Sequence, residues 1–187
     1  MKNGFCALIL LLCSACTSNS VTRQMEALSK SHVVIPHKQL DRRICSMFSD
    51  TLFSNRTIRL LNYIKLEGCT SCRITGLKTD ETRIMKREEF KDVRLMYVAE
   101  TPPHEKDFVY AQLCKARLDG TVYLDTCNAF RRANPHIPDN PLFHTFLLND
   151  EDSVLLVGDP FKNEKMERLF LKVIERERER KGKRLKK

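Results

Sequence analysis

Several things are missing from this 187-residue sequence, and each absence excludes something. Beyond the first dozen residues, no stretch is long and apolar enough to cross a bilayer as a helix, so no membrane-spanning helix is expected there. No internal repeat occurs, and no low-complexity segment apart from a basic run near residues 175–187. There is no tryptophan, although composition is otherwise ordinary for a globular protein, at 42% hydrophobic and 30% charged. No acidic residue precedes Glu26. The cysteine supply is also wrong for a disulfide scaffold, as the export signal shows.

Lys2, the apolar run Phe5–Leu12 and the small residues of "CSAC" read as a secretory signal peptide over residues 1–15. Ser14-Ala15-Cys16 has the small-small-Cys ending of a bacterial lipoprotein cleavage site, which makes Cys16 the expected lipidation site. Cleavage near Ala15 without lipid is the plainer alternative. The polar Thr17–Ser20 then serves as a tether. The missing early acidic residue argues against inner-membrane retention and for the inner leaflet of the outer membrane. The expected location is therefore the periplasm of a Gram-negative bacterium, with the membrane reached through the lipid.

Of eight cysteines, Cys6 and Cys13 leave with the signal and Cys16 takes lipid. Cys45, Cys69, Cys72, Cys114 and Cys127 remain, and five thiols cannot all pair internally. Cys114 and Cys127 are read as two separate buried thiols in preference to a disulfide, and Cys45 as inert or paired within the N-terminal segment.

The net charge of +9 is concentrated near one end, where Glu175–Lys187 carries eight basic and three acidic residues. A solvated helix end with cations at its C-terminus accounts for this. A weak attraction to anionic headgroups is the sharper reading. Nucleic acid is not an expected partner for an exported protein, and a monomer is expected.

Residues 16–56 are polar and mixed, and read as lipidated tether and N-terminal extension. From Thr57 the pattern sharpens. "TIRLLNYIKL" predicts a strand and Arg73–Phe90 a helix; "DVRLMYVA" predicts a second strand and Glu105–Leu118 a second helix. "TVYLD", "FHTFLL" and "SVLLVG" predict three further strands, with a short helical turn after the first of them. Met166, Leu169, Phe170, Val173 and Ile174 form the apolar stripe of a last helix, over residues 163–181. The alternation predicts an α/β fold: a central mixed sheet of about five strands flanked by helices, over residues 57–175, with 176–187 as a basic tail. Cys69 and Cys72, spaced as CxxC, stand where the first strand ends and a helix begins, which is a redox rather than a zinc context.

With this order the chain resembles the thioredoxin-fold family, in particular the exported, membrane-anchored TlpA-like thiol-disulfide oxidoreductases and related thioredoxin-like lipoproteins. Three stretches carry the resemblance: "IRLLNYIKLEGCTSCR", "GTVYLDTCNAFRRANPHIP" and "HTFLLNDEDSVLLVGDP". Two positions depart from the family. Gly68 stands where an aromatic usually precedes the first cysteine. His144 stands where the family has a cis-proline, with Pro141 three residues earlier as the other candidate. A cis bond before a non-proline costs about 3 kcal/mol, so it is not expected before His144.

The resemblance implies a thioredoxin-like fold and thiol-disulfide exchange without metal, flavin or nicotinamide. If Cys69 lies at a helix N-cap, the unpaired N–H groups of the first turn favour its thiolate. Cys69 is then the nucleophile and Cys72, shielded one turn further in, the resolving thiol. Thr70 and Ser71 offer hydroxyls to either sulfur. Glu67 is a candidate proton relay or a solvated strand-end carboxylate. His144 is a candidate to stabilise the thiolate as imidazolium, to donate to a substrate backbone, or simply a structural histidine. Reduction is favoured over oxidation, with disulfide-containing exported proteins as substrates and an upstream thiol as electron donor. Two other functions remain open: a copper-binding or chaperone module using Cys69, Cys72 and His144, for which soft thiolates with imidazole are suited, and a thioredoxin-fold binding protein without redox turnover.

Overall fold

The computed structural model describes residues 21–43, 57–65, 70–118 and 120–184. The expected signal peptide, the lipidation site Cys16 and the tether lie outside these residues, as does Cys45. No helix among the described residues is long and apolar enough to cross a membrane.

All five expected strands form: β2 (Ile58–Lys65), β3 (Val93–Glu100), β4 (Thr121–Asp125), β5 (Thr145–Leu148) and β6 (Val154–Val157). A sixth, β1 (Asp41–Arg43), comes from the N-terminal extension. The sheet order is β1-β4-β3-β2-β5-β6. Strands β4, β3 and β2 run parallel, whereas β1, β5 and β6 pair antiparallel with β4, β2 and β5. Three helices follow the expected order: α2 (Thr70–Met85), α3 (Lys106–Lys115) and α5 (Glu164–Arg184). The short helical turn after β4 is α4 (Ala129–Ala133). One more helical stretch, α1, is described over residues 21–28.

The parallel strands are apolar on both faces, as expected when both faces are covered. In β3, Val93, Leu95, Tyr97 and Ala99 join one core with Ile74, Ile84, Val109, Leu113, Phe170 and Ile174 of α2, α3 and α5. The alternating Met96 and Val98 join a second core with Tyr63, Phe130, Phe143 and Phe146. That second face is closed by the N-terminal extension. Leu28, Val33, Ile35 and Leu40 are buried in it, so residues 28–40 are part of the globular body and not a loose elaboration. Backbone bonds hold them there: Val33 N–H donates to the Asp152 carbonyl and Val154 N–H to that of Ser31, both at 3.0 Å.

Helix α5 runs three residues past its expected end and takes most of the expected basic tail into the body. Arg178 Nε pairs with Asp92 at 2.7 Å, and Lys181 Nζ with Asp150 at 3.2 Å. Glu177, 4% exposed, is gripped by Arg180 through two contacts at 2.6 and 2.8 Å. Ion pairs carry the helix on after its apolar stripe ends at Ile174.

Candidate active site

The C-terminal end of β2 delivers the chain to α2, and Cys72 lies in the first turn of that helix. That turn contains no acidic residue to oppose the positive end of the helix dipole. Cys72 is disulfide-bonded. The other two described cysteines, Cys114 and Cys127, are not in a disulfide, so the partner of Cys72 lies outside the described residues, as do Glu67, Gly68 and Cys69. Cys114 is half-buried and Cys127 exposed; the expectation that both are buried fails for Cys127, which sits in the turn leading into α4.

The shielding expected for Cys72 is not found, because the residue is exposed. The buried stripe of α2 is built from Ile74, Glu81 and Ile84. At about 100° per residue, Cys72 falls about 160° around the helix from Ile74. Of its neighbours, Thr70 is half-buried and Ser71 exposed. The Ser71 carbonyl accepts the Thr75 hydroxyl at 2.9 Å.

Cys72 lines a cleft of about 540 Å³ between α2 and the sheet. His144 and Pro141 line the same cleft, so the fold brings together the cysteine and the histidine singled out from sequence. His144 immediately precedes β5, while Pro141 starts the 3-10 turn Pro141–Phe143, which Asn140 caps by accepting the Leu142 N–H at 3.0 Å. No cis peptide bond occurs among the described residues.

His144 is 6% exposed, and its Nε2 lies 3.0 Å from the Pro138 carbonyl. A carbonyl only accepts, so Nε2 carries the proton. The ring packs edge to face on Tyr63, with centroids 4.9 Å apart. Burial holds its pKa below the ordinary value of 6.5, opposed by the bond to Pro138. Desolvation disfavours the charged ring. Its backbone is committed as well, since the N–H donates to Pro141 at 3.2 Å and the carbonyl accepts from Tyr63 at 2.8 Å.

Charged groups rim this region. Asp139 accepts from Lys65 at 2.7 Å and also pairs with Arg131. These two cations lower its pKa to about 2, so it is an anion at any working pH. The Tyr63 hydroxyl donates to Glu100. Burial, then that bond, raise the Tyr63 pKa well above the usual phenol range.

Sequence reasoning missed two buried carboxylates. Asp125, 0% exposed at the end of β4, accepts the N–H groups of Ala129 and Phe130, each at 2.9 Å, and of Cys127 at 3.2 Å. It caps α4, whose Phe130 ring lies 4.9 Å from that of Tyr63. Glu81, 1% exposed in the cleft wall, accepts from the Gly120 N–H at 2.9 Å, the Tyr97 hydroxyl at 3.3 Å and Lys78 at 3.0 Å. Its signal was present in the sequence, since Glu81 falls on the same helical stripe as Ile74, Leu77 and Ile84.

Among the described residues no group of three or more His, Cys, Asp or Glu side chains is placed to hold a metal ion. The copper set named from sequence includes Cys69, outside those residues.

No protein-family model matches this chain, and no curated protein matches it. Solved structures do. The chain is similar to the thioredoxin domain of a thiol-disulfide oxidoreductase from Bacteroides vulgatus, at 13% identity over 78% of this chain and 96% of that one, with a TM-score of 0.47. It is similar to the N-terminal domain of PilB from Neisseria gonorrhoeae, at 18% identity over 73% and 89%, with a TM-score of 0.44. A thioredoxin-like protein from Porphyromonas gingivalis shares 15% identity over 64% and 74%, with a TM-score of 0.44. In its own sheet order, with helices on both faces, this chain has an α/β fold built on a six-stranded mixed sheet.

Proposed function

We propose that this chain is an exported, lipid-anchored thiol-disulfide oxidoreductase in which Cys69 attacks and Cys72 resolves. The observation that carries the reading is Cys72 itself: disulfide-bonded, exposed, in the first turn of the helix that follows a central parallel strand, and on the wall of a cleft. Cys69, three residues earlier, is the partner whose spacing suits a disulfide closed across one helical turn. Cys69 immediately precedes α2, where unpaired N–H donors favour a thiolate.

The exchange runs in two steps. The Cys69 thiolate attacks one sulfur of a substrate disulfide, forming a mixed disulfide and releasing the other sulfur as a thiolate. Cys72, once deprotonated, attacks the Cys69 sulfur and expels the second substrate thiolate, leaving the Cys69–Cys72 disulfide. Two electrons pass to the substrate, and an upstream thiol donor must return them. Cys114 and Cys127, neither of them in a disulfide, support a reductive direction. The signal-like N-terminus and Cys16 support work in the periplasm, at the inner leaflet of the outer membrane. His144 lines the wall of the same cleft.

The test is reduction of a disulfide substrate such as insulin. Cys69→Ser abolishes turnover, and Cys72→Ser accumulates mixed disulfides. Undiminished turnover in Cys69→Ser overturns the reading.

A further inference from the structure

Along the inward stripe of α2, Ile74, Glu81 and Ile84 are at most 3% exposed. Leu77, between them, is only half-buried and lines the cleft that Cys72 also lines. Gly76 lies beside it in the same wall. A Cβ added to Gly76 would meet no atom within 4 Å, and its φ is not positive. Glycine inside a helix weakens it relative to alanine, and neither packing nor backbone conformation calls for it here. Its effect is to leave the wall open one turn beyond Cys72, because residues four apart share a helix face.

The floor of the cleft is polar at one point. Leu60, Asn62 and Ile64 of β2 alternate onto one face of the sheet, and Leu60 and Ile64 join the core there with α2. Asn62, half-buried between them, lines the cleft. Its Oδ1 accepts the Thr145 hydroxyl at 2.8 Å. The amide Nδ2 keeps its donors, with no partner among the described residues. Towards the far end of α2, Phe161 of the loop after β6 closes the space, with the Arg83 guanidinium 5.8 Å from its ring centre.

Charge does not choose the occupant. Asp139 pairs with Lys65 and Arg131, Glu81 with Lys78 at 3.0 Å, and Asp80 with Arg83 at 3.6 Å. Asp159 and Arg73, one of each sign, complete the charged lining. Length is more telling. From Cys72 to Ile84 the helix rises about 18 Å, the span of about five residues of extended chain. Gly76 and Leu77 stand about 6–7 Å along the axis from Cys72, or roughly two residues of such a chain. In an extended chain, residues two apart face the same way.

We infer that the cleft seats the polypeptide that carries the substrate disulfide, and selects a large uncharged side chain, aromatic or aliphatic, two residues from the disulfide cysteine. That side chain fills the space beside Gly76 and Leu77, the chain runs on towards Phe161, and Asn62 Nδ2 donates to a carbonyl of the bound backbone. The inference deepens the reading of Cys69 and Cys72 as an exchanging pair and rests on it.

The experiment has two arms, of which the first involves no thiol. Oxidised protein is irradiated with a short cysteine-free peptide carrying one benzoylphenylalanine, and the adducts are mapped by mass spectrometry. Adducts fall on β2, α2 and the loop at Phe161. A competing peptide with Phe at that position suppresses them, and one with Ser, Lys or Glu does not. Gly76→Leu loses the labelling with no lower a urea midpoint than wild type, and Gly76→Ala raises the midpoint. In the second arm, disulfide-linked peptides are reduced that differ only two residues from the cysteine. Phe or Leu there raises kcat/KM over Ser at least about tenfold, mostly through KM, and Lys or Glu does not. Gly76→Leu abolishes that preference. Labelling outside the cleft, equal competition by Phe and Ser, or equal reduction of the Phe and Ser peptides overturns the inference. So does a lower midpoint in Gly76→Leu, since the chain itself then fills the space. Selective labelling of the cleft with no reduction of any peptide overturns the exchange reading instead.

Discussion

The backbone carbonyl of His144 accepts the N–H of Tyr63 at 2.8 Å, and the two rings meet edge to face with centroids 4.9 Å apart. Together with the bond from Nε2 to Pro138, this fastens the loop before β5 to the strand that leads into Cys69 and Cys72. His144→Ala removes the ring and strands the Pro138 carbonyl, and is expected to lower stability by about 2–3 kcal/mol. Urea unfolding of wild type and variant measures it.

The same residue gives the fold a pH dependence of definite sign. Burial holds the His144 pKa below its ordinary 6.5, so between the two values the unfolded chain binds more protons than the folded one. Stability then rises with pH. This contribution is complete above pH 6.5 and is lost as pH falls from there through the lowered folded value. In His144→Gln, stability measured from pH 7 to pH 5 declines less steeply than in wild type.

Asp125 holds α4 against the sheet through three backbone N–H groups. Asp125→Ala leaves them unpaired at a buried helix start and is expected to cost about 2 kcal/mol. Asp125→Asn retains one acceptor oxygen and loses less. Denaturation midpoints of the two variants check the order.

Glu81 fixes the junction between α2 and the loop before β4. Gly120 admits no larger residue, because a Cβ there would lie 2.6 Å from Cε2 of Tyr97. The Gly120 N–H, in turn, needs the Glu81 oxygen. Glu81→Ala strands that N–H, removes the acceptor of the Tyr97 hydroxyl bond, and is expected to cost about 3 kcal/mol. Glu81→Gln keeps one acceptor and costs less, by the same unfolding measurement.

The central strands were legible in the sequence because β2, β3 and β4 are apolar on both faces and rich in β-branched and aromatic residues. Strand β1 was not: "DRR" has no strand character, and it pairs with β4 next to the buried Leu40. The last helix was cut short in reading because its apolar stripe ends at Ile174, while what extends it is pairing to Asp92 and Asp150 on other elements. The beginning of β5 was placed two residues early, since Asn140 turns Pro141–Phe143 into a 3-10 helix. Cys72 and His144 were found by motif and counting, and the fold sets both in one cleft. The exposure of Cys72 and the burial of His144 were not legible, because both depend on which face each element turns inward. Asp125 was passed over as a strand end, although a capping carboxylate before a short helix is a recognisable pattern.

Peptide mapping under non-reducing conditions tests the central claim most directly. The mature protein is equilibrated in glutathione buffers of graded potential, trapped with an alkylating reagent, digested and read by mass spectrometry. A Cys69–Cys72 disulfide that opens and closes reversibly across those buffers, while Cys114 and Cys127 remain alkylated as free thiols, is the result predicted. Cys72 joined instead to Cys45, or a Cys69–Cys72 bond that never opens in any buffer, contradicts it.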